Sequence, residues 1–106
     1  MDNKLIDAAA KALLQAAPQG SRVVLFGSCA RGTTRPDSDM DFLVIEPKVE
    51  DRFYETFRLR KAVEAIFENN VQPVDLVVTD EEQFQRCMDT PNTLIFEANS
   101  EGRVYE

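Results

Sequence analysis

Two runs of four consecutive apolar residues, Val23-Val24-Leu25-Phe26 and Phe42-Leu43-Val44-Ile45, most narrowly constrain this chain. Each is too short for a helix and too uniformly apolar for a strand with one wet face. Both therefore fit strands covered on both sides, which requires helices above and below a sheet. The sequence supplies them. Leu5, Ile6, Ala9, Leu13 and Leu14 recur at helical spacing in an alanine-rich stretch that Pro18 and Gly20 close. From about Glu50 to Asn69, the residues Phe53, Phe57, Leu59, Val63, Ile66 and Phe67 cover about half a helical wheel, predicting the longest helix with those phenylalanines as core. Arg60 and Glu64, four residues apart, are expected to pair at its edge, and Asn69-Asn70 to stop it. A third strand is expected over Val74 to Val78, followed by a short helix capped by Thr79 or Asp80 with Glu82 or Gln83 three residues on. A last helix holds Leu94, Ile95, Phe96 and Ala98, ends at Gly102 and leaves Val104-Tyr105 extended. The expected fold class is α/β, a small mixed central sheet flanked by helices. With 106 residues and no internal repeat or linker, the reading is a single domain over residues 1–106.

Composition removes several kinds of chemistry. There is no histidine, and Cys29 and Cys87 are the only thiols, so zinc sites of the usual kind and histidine-dependent acid–base pairs drop out. Two cysteines do not make a secreted disulfide framework, and Met1-Asp2-Asn3-Lys4 lacks the basic and apolar regions of a signal peptide; the expected location is the cytoplasm. No apolar run approaches the roughly 20 residues of a membrane helix. Nineteen acidic against 12 basic residues give a net charge of −7, a poor balance for tracking a phosphate backbone, so free nucleic acid is not an expected partner. Such a surplus favours a basic protein partner.

The chemistry concentrates in Gly27-Ser28-Cys29-Ala30-Arg31-Gly32 and in Asp39-Met40-Asp41. Strand side chains alternate, so Asp39 and Asp41 project to one face while Met40 and Phe42 enter the packing. Adjacent carboxylates repel unless a cation compensates, and oxygen-only ligation suits Mg²⁺ or Mn²⁺. Asp75, a lone acid within the third strand, completes a three-carboxylate cluster if that strand neighbours the second. Gly27 lies where a buried strand turns, and a glycine there lets backbone approach phosphate oxygens, with the Ser28 hydroxyl and Arg31 available to the same anion. Arg35, in Arg35-Pro36-Asp37, reads equally well as part of a loop turn.

Gly27-Ser28, ten intervening residues and then Asp39-x-Asp41 resemble the motif of the DNA polymerase β-like nucleotidyltransferase superfamily, with Asp75 matching its third carboxylate. The surrounding Leu25 to Gly32 and Ser38 to Val44 are similar to the minimal nucleotidyltransferase (MNT) group, which includes antitoxins paired with HEPN-domain toxins. The resemblance implies the polymerase β-like palm fold, with Asp39, Asp41 and Asp75 as catalytic metal ligands and Gly27 and Ser28 holding the triphosphate. It further implies Mg²⁺-ATP as donor and AMP transfer to a hydroxyl, for MNT antitoxins a tyrosine of the HEPN toxin. Cys29 stands where relatives often carry a larger side chain. Two other readings remain open: an antitoxin that acts mainly by binding its toxin, and the transferase subunit of a small-molecule enzyme acting on an aminoglycoside-like acceptor. Free-standing relatives that modify drugs or nucleic acids usually carry a further helical domain, so the acceptor is expected on another chain, in a homo- or hetero-oligomer.

Overall fold

Strand β1 (Arg22–Phe26) sits inside a four-stranded sheet and runs antiparallel to both neighbours, β2 (Met40–Glu46) and β4 (Arg103–Tyr105). Strand β3 (Val74–Asp80) joins the far side of β2 in parallel, giving the order β3-β2-β1-β4 in a mixed sheet. The computed structural model describes residues 3–27, 40–67 and 74–106. Among these, helices α1 (Asn3–Ala16) and α2 (Arg52–Glu64) cover one face, and α3 (Glu81–Cys87) and α4 (Leu94–Glu101) cover the other.

Strand alternation sorts the core into these two layers. Val23, Leu25, Met40, Phe42, Val44, Leu76 and Val78 pack with Ile6, Ala9, Ala10 and Leu13 of α1 and with Leu59 and Val63 of α2. Val24, Phe26, Leu43, Ile45 and Val77 face Phe84 of α3 and Ile95 and Ala98 of α4. Burial on both sides is why the apolar runs are continuous. Gly102 ends α4 as expected and has a packing reason: a Cβ there would collide with the Ala98 carbonyl and a Val24 methyl. The final residues pair with β1, and the Tyr105 hydroxyl donates to Asp7 at 3.0 Å, tying the last strand to the first helix.

Helix α2 differs from its sequence expectation. Asp51 caps it by accepting from the Tyr54 amide, so it begins at Arg52, and it gives way to a 3₁₀ turn at Ala65–Phe67; its 13 residues are fewer than the 14 of α1. Asn69-Asn70 lies outside the described residues. Phe53 and Phe57 are not core. They are 91% and 59% exposed, because the sheet covers Leu59 and Val63, which lie about 120° round the helix. Arg60 turns to the Val74 carbonyl, donating from Nη1 at 3.1 Å, and not to Glu64. Asp80 is the cap of α3, accepting from the Gln83 amide at 2.8 Å. Arg22 grips both Glu81 carboxylate oxygens at 2.7 and 2.8 Å, fastening β1 to that helix.

At its far end β2 buries Glu46, 1% exposed, against Glu55 of α2. Burial, then the adjacent Glu55 carboxylate, push Glu46 up to about 8, and it donates its proton to Glu55. Arg58, 2.6 Å from Glu55, holds that partner below the usual carboxylate range. Because folding raises the Glu46 pKa, its contribution is full below the unfolded value of 4.5 and is lost as pH rises through about 8. Glu46→Gln keeps a donor toward Glu55 at every pH. Thermal melts should show wild-type stability falling relative to the variant between about pH 5 and pH 9; parallel curves would contradict this protonation.

Candidate functional site

The ends of three strands meet at one rim of the sheet. There β1 leaves at Phe26 and Gly27, while β2 and β3 enter side by side with Met40 opposite Val74 and Asp41 opposite Asp75. Met40 and Phe42 are fully buried as expected. Asp41 therefore points to the opposite face, that of Leu43 and Ile45, and Asp75 to the same face through its alternation with Val77. Neighbouring strands run about 4.8 Å apart, so in-register acids on one face are adjacent. The expectation that the third strand neighbours the second holds. Asp75 is exposed and Asp41 half-buried, so the third strand's acid meets solvent and is not enclosed by the apolar residues around it.

Gly27 locks this corner. Its φ of +74° lies in the left-handed region that glycine tolerates, and a Cβ there would collide with Oδ2 of Asp41 and come within 3.3 Å of its Cγ. The glycine thus permits both the turn and the position of the carboxylate. Outside these acids opens a groove of about 510 Å³, bordered by Phe26, Gly27, Asp41, Asp75, Leu94 and Glu97, and by Arg60 reaching over from α2.

Of the sequence-expected site residues, Gly27, Asp41 and Asp75 converge on this groove. Ser28, Arg31 and Asp39, like Cys29 and Arg35, lie outside the described residues. Among the described residues no three candidate ligands cluster, and the acids at the rim are Asp41 and Asp75 with Glu97 across the groove. The sequence reading missed Arg60 and Glu97. Arg60 lay at the margin of an apolar helical band and Glu97 beside Phe96 in a helix, so neither carried a local signal; only the packing of α2 and α4 against the strand ends brings them in. Two adjacent carboxylate groups with hard oxygen donors, opening on a groove wide enough for phosphates, fit Mg²⁺, which commonly takes one or two carboxylates and completes its shell with water and phosphate oxygens.

A family model described as "Nucleotidyltransferase domain" matches residues 6–102. The chain belongs to the nucleotidyltransferase domain family. No curated protein gives a significant match. Among solved structures, similarity extends to a toxin–antitoxin crystal structure with AMP-PNP, at 20% identity and a TM-score of 0.63, covering 98% of this chain and 72% of that one. A protein from Sulfolobus solfataricus assigned as a nucleotidyltransferase gives 21% identity and 0.61, covering 96% and 77%. A mutant of the toxin–antitoxin MntA–HpeT, with two aspartates changed to glutamate, gives 22% and 0.60, covering 96% and 69%. These likenesses establish the nucleotidyltransferase fold, in agreement with the α/β architecture and family read from the sequence. No helix among the described residues is long and apolar enough to cross a membrane.

Gly27→Ala tests the corner. The new methyl displaces the Asp41 carboxylate and strains the backbone by about 1–2 kcal/mol. Mn²⁺ binding in the presence of nucleotide, followed by electron paramagnetic resonance, should weaken by at least about tenfold, while the melting temperature falls by only a few degrees. Unchanged Mn²⁺ affinity would show that the glycine does not set the carboxylate.

Proposed function

We propose that this chain is a Mg²⁺-dependent adenylyltransferase that moves AMP from ATP to a hydroxyl on a partner protein, a tyrosine of a HEPN-type toxin being the favoured acceptor. The observation that carries the reading is the in-register pair Asp41 and Asp75 beside the left-handed Gly27. In this reading Asp39 joins them as the third acid. The Gly27-Ser28 turn and Arg31 hold the triphosphate, and residues 1–106 act as one catalytic domain. Family membership supports nucleotidyl transfer; the fold shared with a chain of a toxin–antitoxin structure with AMP-PNP supports ATP and a toxin partner.

When bound, Mg²⁺ neutralises phosphate charge and orients the triphosphate. The chain's own residues do the rest. Asp41 and Asp75 hold the cation, and Gly27 lets backbone reach the phosphates without a side chain intervening. Asp75, the more exposed of the two described acids, accepts the proton of the attacking hydroxyl. The hydroxyl oxygen bonds to the α-phosphorus, the bond to the bridging oxygen breaks, and pyrophosphate leaves in line. Arg60, whose Nη1 donates to the Val74 carbonyl, borders the same groove and brings a positive charge to it. Much of the rate comes from positioning.

The test is transfer to a co-expressed HEPN toxin, read by intact mass and peptide sequencing. Wild type with ATP and Mg²⁺ should add one AMP mass to a toxin tyrosine. Asp41→Asn and Asp75→Asn should each cut the rate by about 100-fold or more without a loss of folded signal in circular dichroism. A tight complex that stays unmodified would support the binding antitoxin instead, and modification of an aminoglycoside in place of the protein would support the small-molecule enzyme.

A further inference from the structure

The end of β2 away from Asp41 holds a second polar corner. Glu46, its last residue, is 1% exposed; its carboxyl engages Glu55, yet Oε2 is buried with no partner. The Ser21 hydroxyl is in the same condition. Continuing the register from Arg22 opposite Ile45 sets Ser21 opposite Glu46, and a Cβ on Gly20 would come within 3.4 Å of Pro47, so the two chains stay side by side past the ladder. Alternation places both side chains on the α2 face, with Val23 and Val44. Cβ atoms opposed in this way stand about 5 Å apart, so the two unpartnered oxygens belong to one corner. Buried polar atoms nearly always have a partner, and two orphans together call for a ligand or water.

Glu46 and Glu55 border a cavity of about 340 Å³ between the end of α1, the turn after β2 and the start of α2. That is about eleven times the roughly 30 Å³ a water takes up in the liquid, and within the range of small-ligand sites. Among the described residues that border it, the charges are Glu46, Glu50, Asp51 and Glu55 against Lys48. The Arg58 guanidinium is already held by Glu55 at 2.6 Å and by the Ala16 carbonyl. This balance disfavours an anion. A bare divalent ion is no better matched, since among the described residues no three acids stand close enough to share one. Pro18, Val49 and Tyr54 supply an apolar side along which a short carbon chain can lie.

We propose that this corner binds a primary alkylammonium group, its N–H donors reaching Glu46 Oε2 and Ser21 Oγ and its carbon stem lying against Pro18, Val49 and Tyr54. A free amine and a lysine side chain of a partner protein carry the same chemistry. An ammonium has three donors on one small head, enough for both oxygens. Its entry moves a proton. Without a bound cation, burial and the neighbouring Glu55 push Glu46 up to about 8, so at neutral pH the carboxyl keeps its proton. The incoming ammonium supplies the positive charge instead, and the Glu46 proton leaves to solvent. Facing Glu46 are Glu55 and Arg58 of α2 and Lys48, Glu50 and Asp51 of the turn. Asp80, its pair on β3, accepts from the Gln83 amide, Arg22 of β1 is held by Glu81, and the last turn of α1, Leu13 to Ala16, is uncharged. This inference does not depend on the nucleotidyl transfer reading.

Isothermal titration calorimetry of the whole chain tests it, with n-butylammonium chloride as the free-amine probe and Nα-acetyl-lysine methylamide as the side-chain probe. At about pH 7 close to one proton should leave per amine bound, read from the difference in heat between phosphate and Tris buffers. Affinity should rise about tenfold from pH 6 to pH 7 and level off above about pH 8. Glu46→Gln should bind at least about tenfold more weakly, with no proton release and no dependence on pH, and Ser21→Ala about fivefold more weakly. Equal binding of both probes supports the site as one for a lysine side chain, and binding of n-butylammonium alone supports it as one for a free amine. No binding up to about 10 mM at pH 8.5 overturns the proposal and leaves the two oxygens to water. So does binding without proton release, or binding that either substitution leaves unchanged.

Discussion

The parallel pairing of β2 with β3 in a register that sets Asp41 opposite Asp75 is the constraint on which the proposed site depends. A slip of one residue would turn Asp75 into the core layer of Leu76 and Val78 and bring an apolar side chain to the groove. The register is held by burial on both faces. Met40, Phe42 and Val44 lock against α1 and α2, while Leu43 and Ile45 lock against α3 and α4. Two acids with mutual repulsion thus rest on a frame whose packing energy comes from the apolar residues of the two core layers.

Strand β2 carries an acid near each end, and the contrast shows how environment sorts identical chemistry. Asp41 faces an open groove beside a second acid, the setting in which a cation lowers the cost of keeping both charged. Glu46 is enclosed beside Glu55 with Arg58 already committed to that neighbour, and it keeps its proton instead. One pair suits a divalent ion; the other joins strand to helix through a shared proton.

Much of this is legible in the sequence. The apolar runs located β1 and β2, and period-two alternation assigned Met40 and Phe42 to the core and Asp41 to the other face. The glycine at position 27 announced a turn whose φ is indeed positive. Helix α2 was misjudged because half a wheel of apolar residues says nothing about which part of that half the sheet reaches. Leu59 and Val63 were covered, and Phe53 and Phe57 were left outside. Arg60 and Glu97 were invisible for a related reason. Their relation to Asp41 comes from the way two helices cross opposite faces of the sheet, and single-sequence periodicity carries no information on crossing. Whether β3 lay next to β2 was likewise a condition that local pattern could state but only the topology could meet.

The most direct test of the central claim is a crystal structure of the chain soaked with Mn²⁺ and a non-hydrolysable ATP analogue, with anomalous scattering locating the ion. The account predicts a manganese peak bonded to carboxylate oxygens of both Asp41 and Asp75, about 2.2 Å from each, with phosphate oxygens completing its shell. A nucleotide bound with the ion elsewhere, or an ion held by only one of these acids, would contradict it.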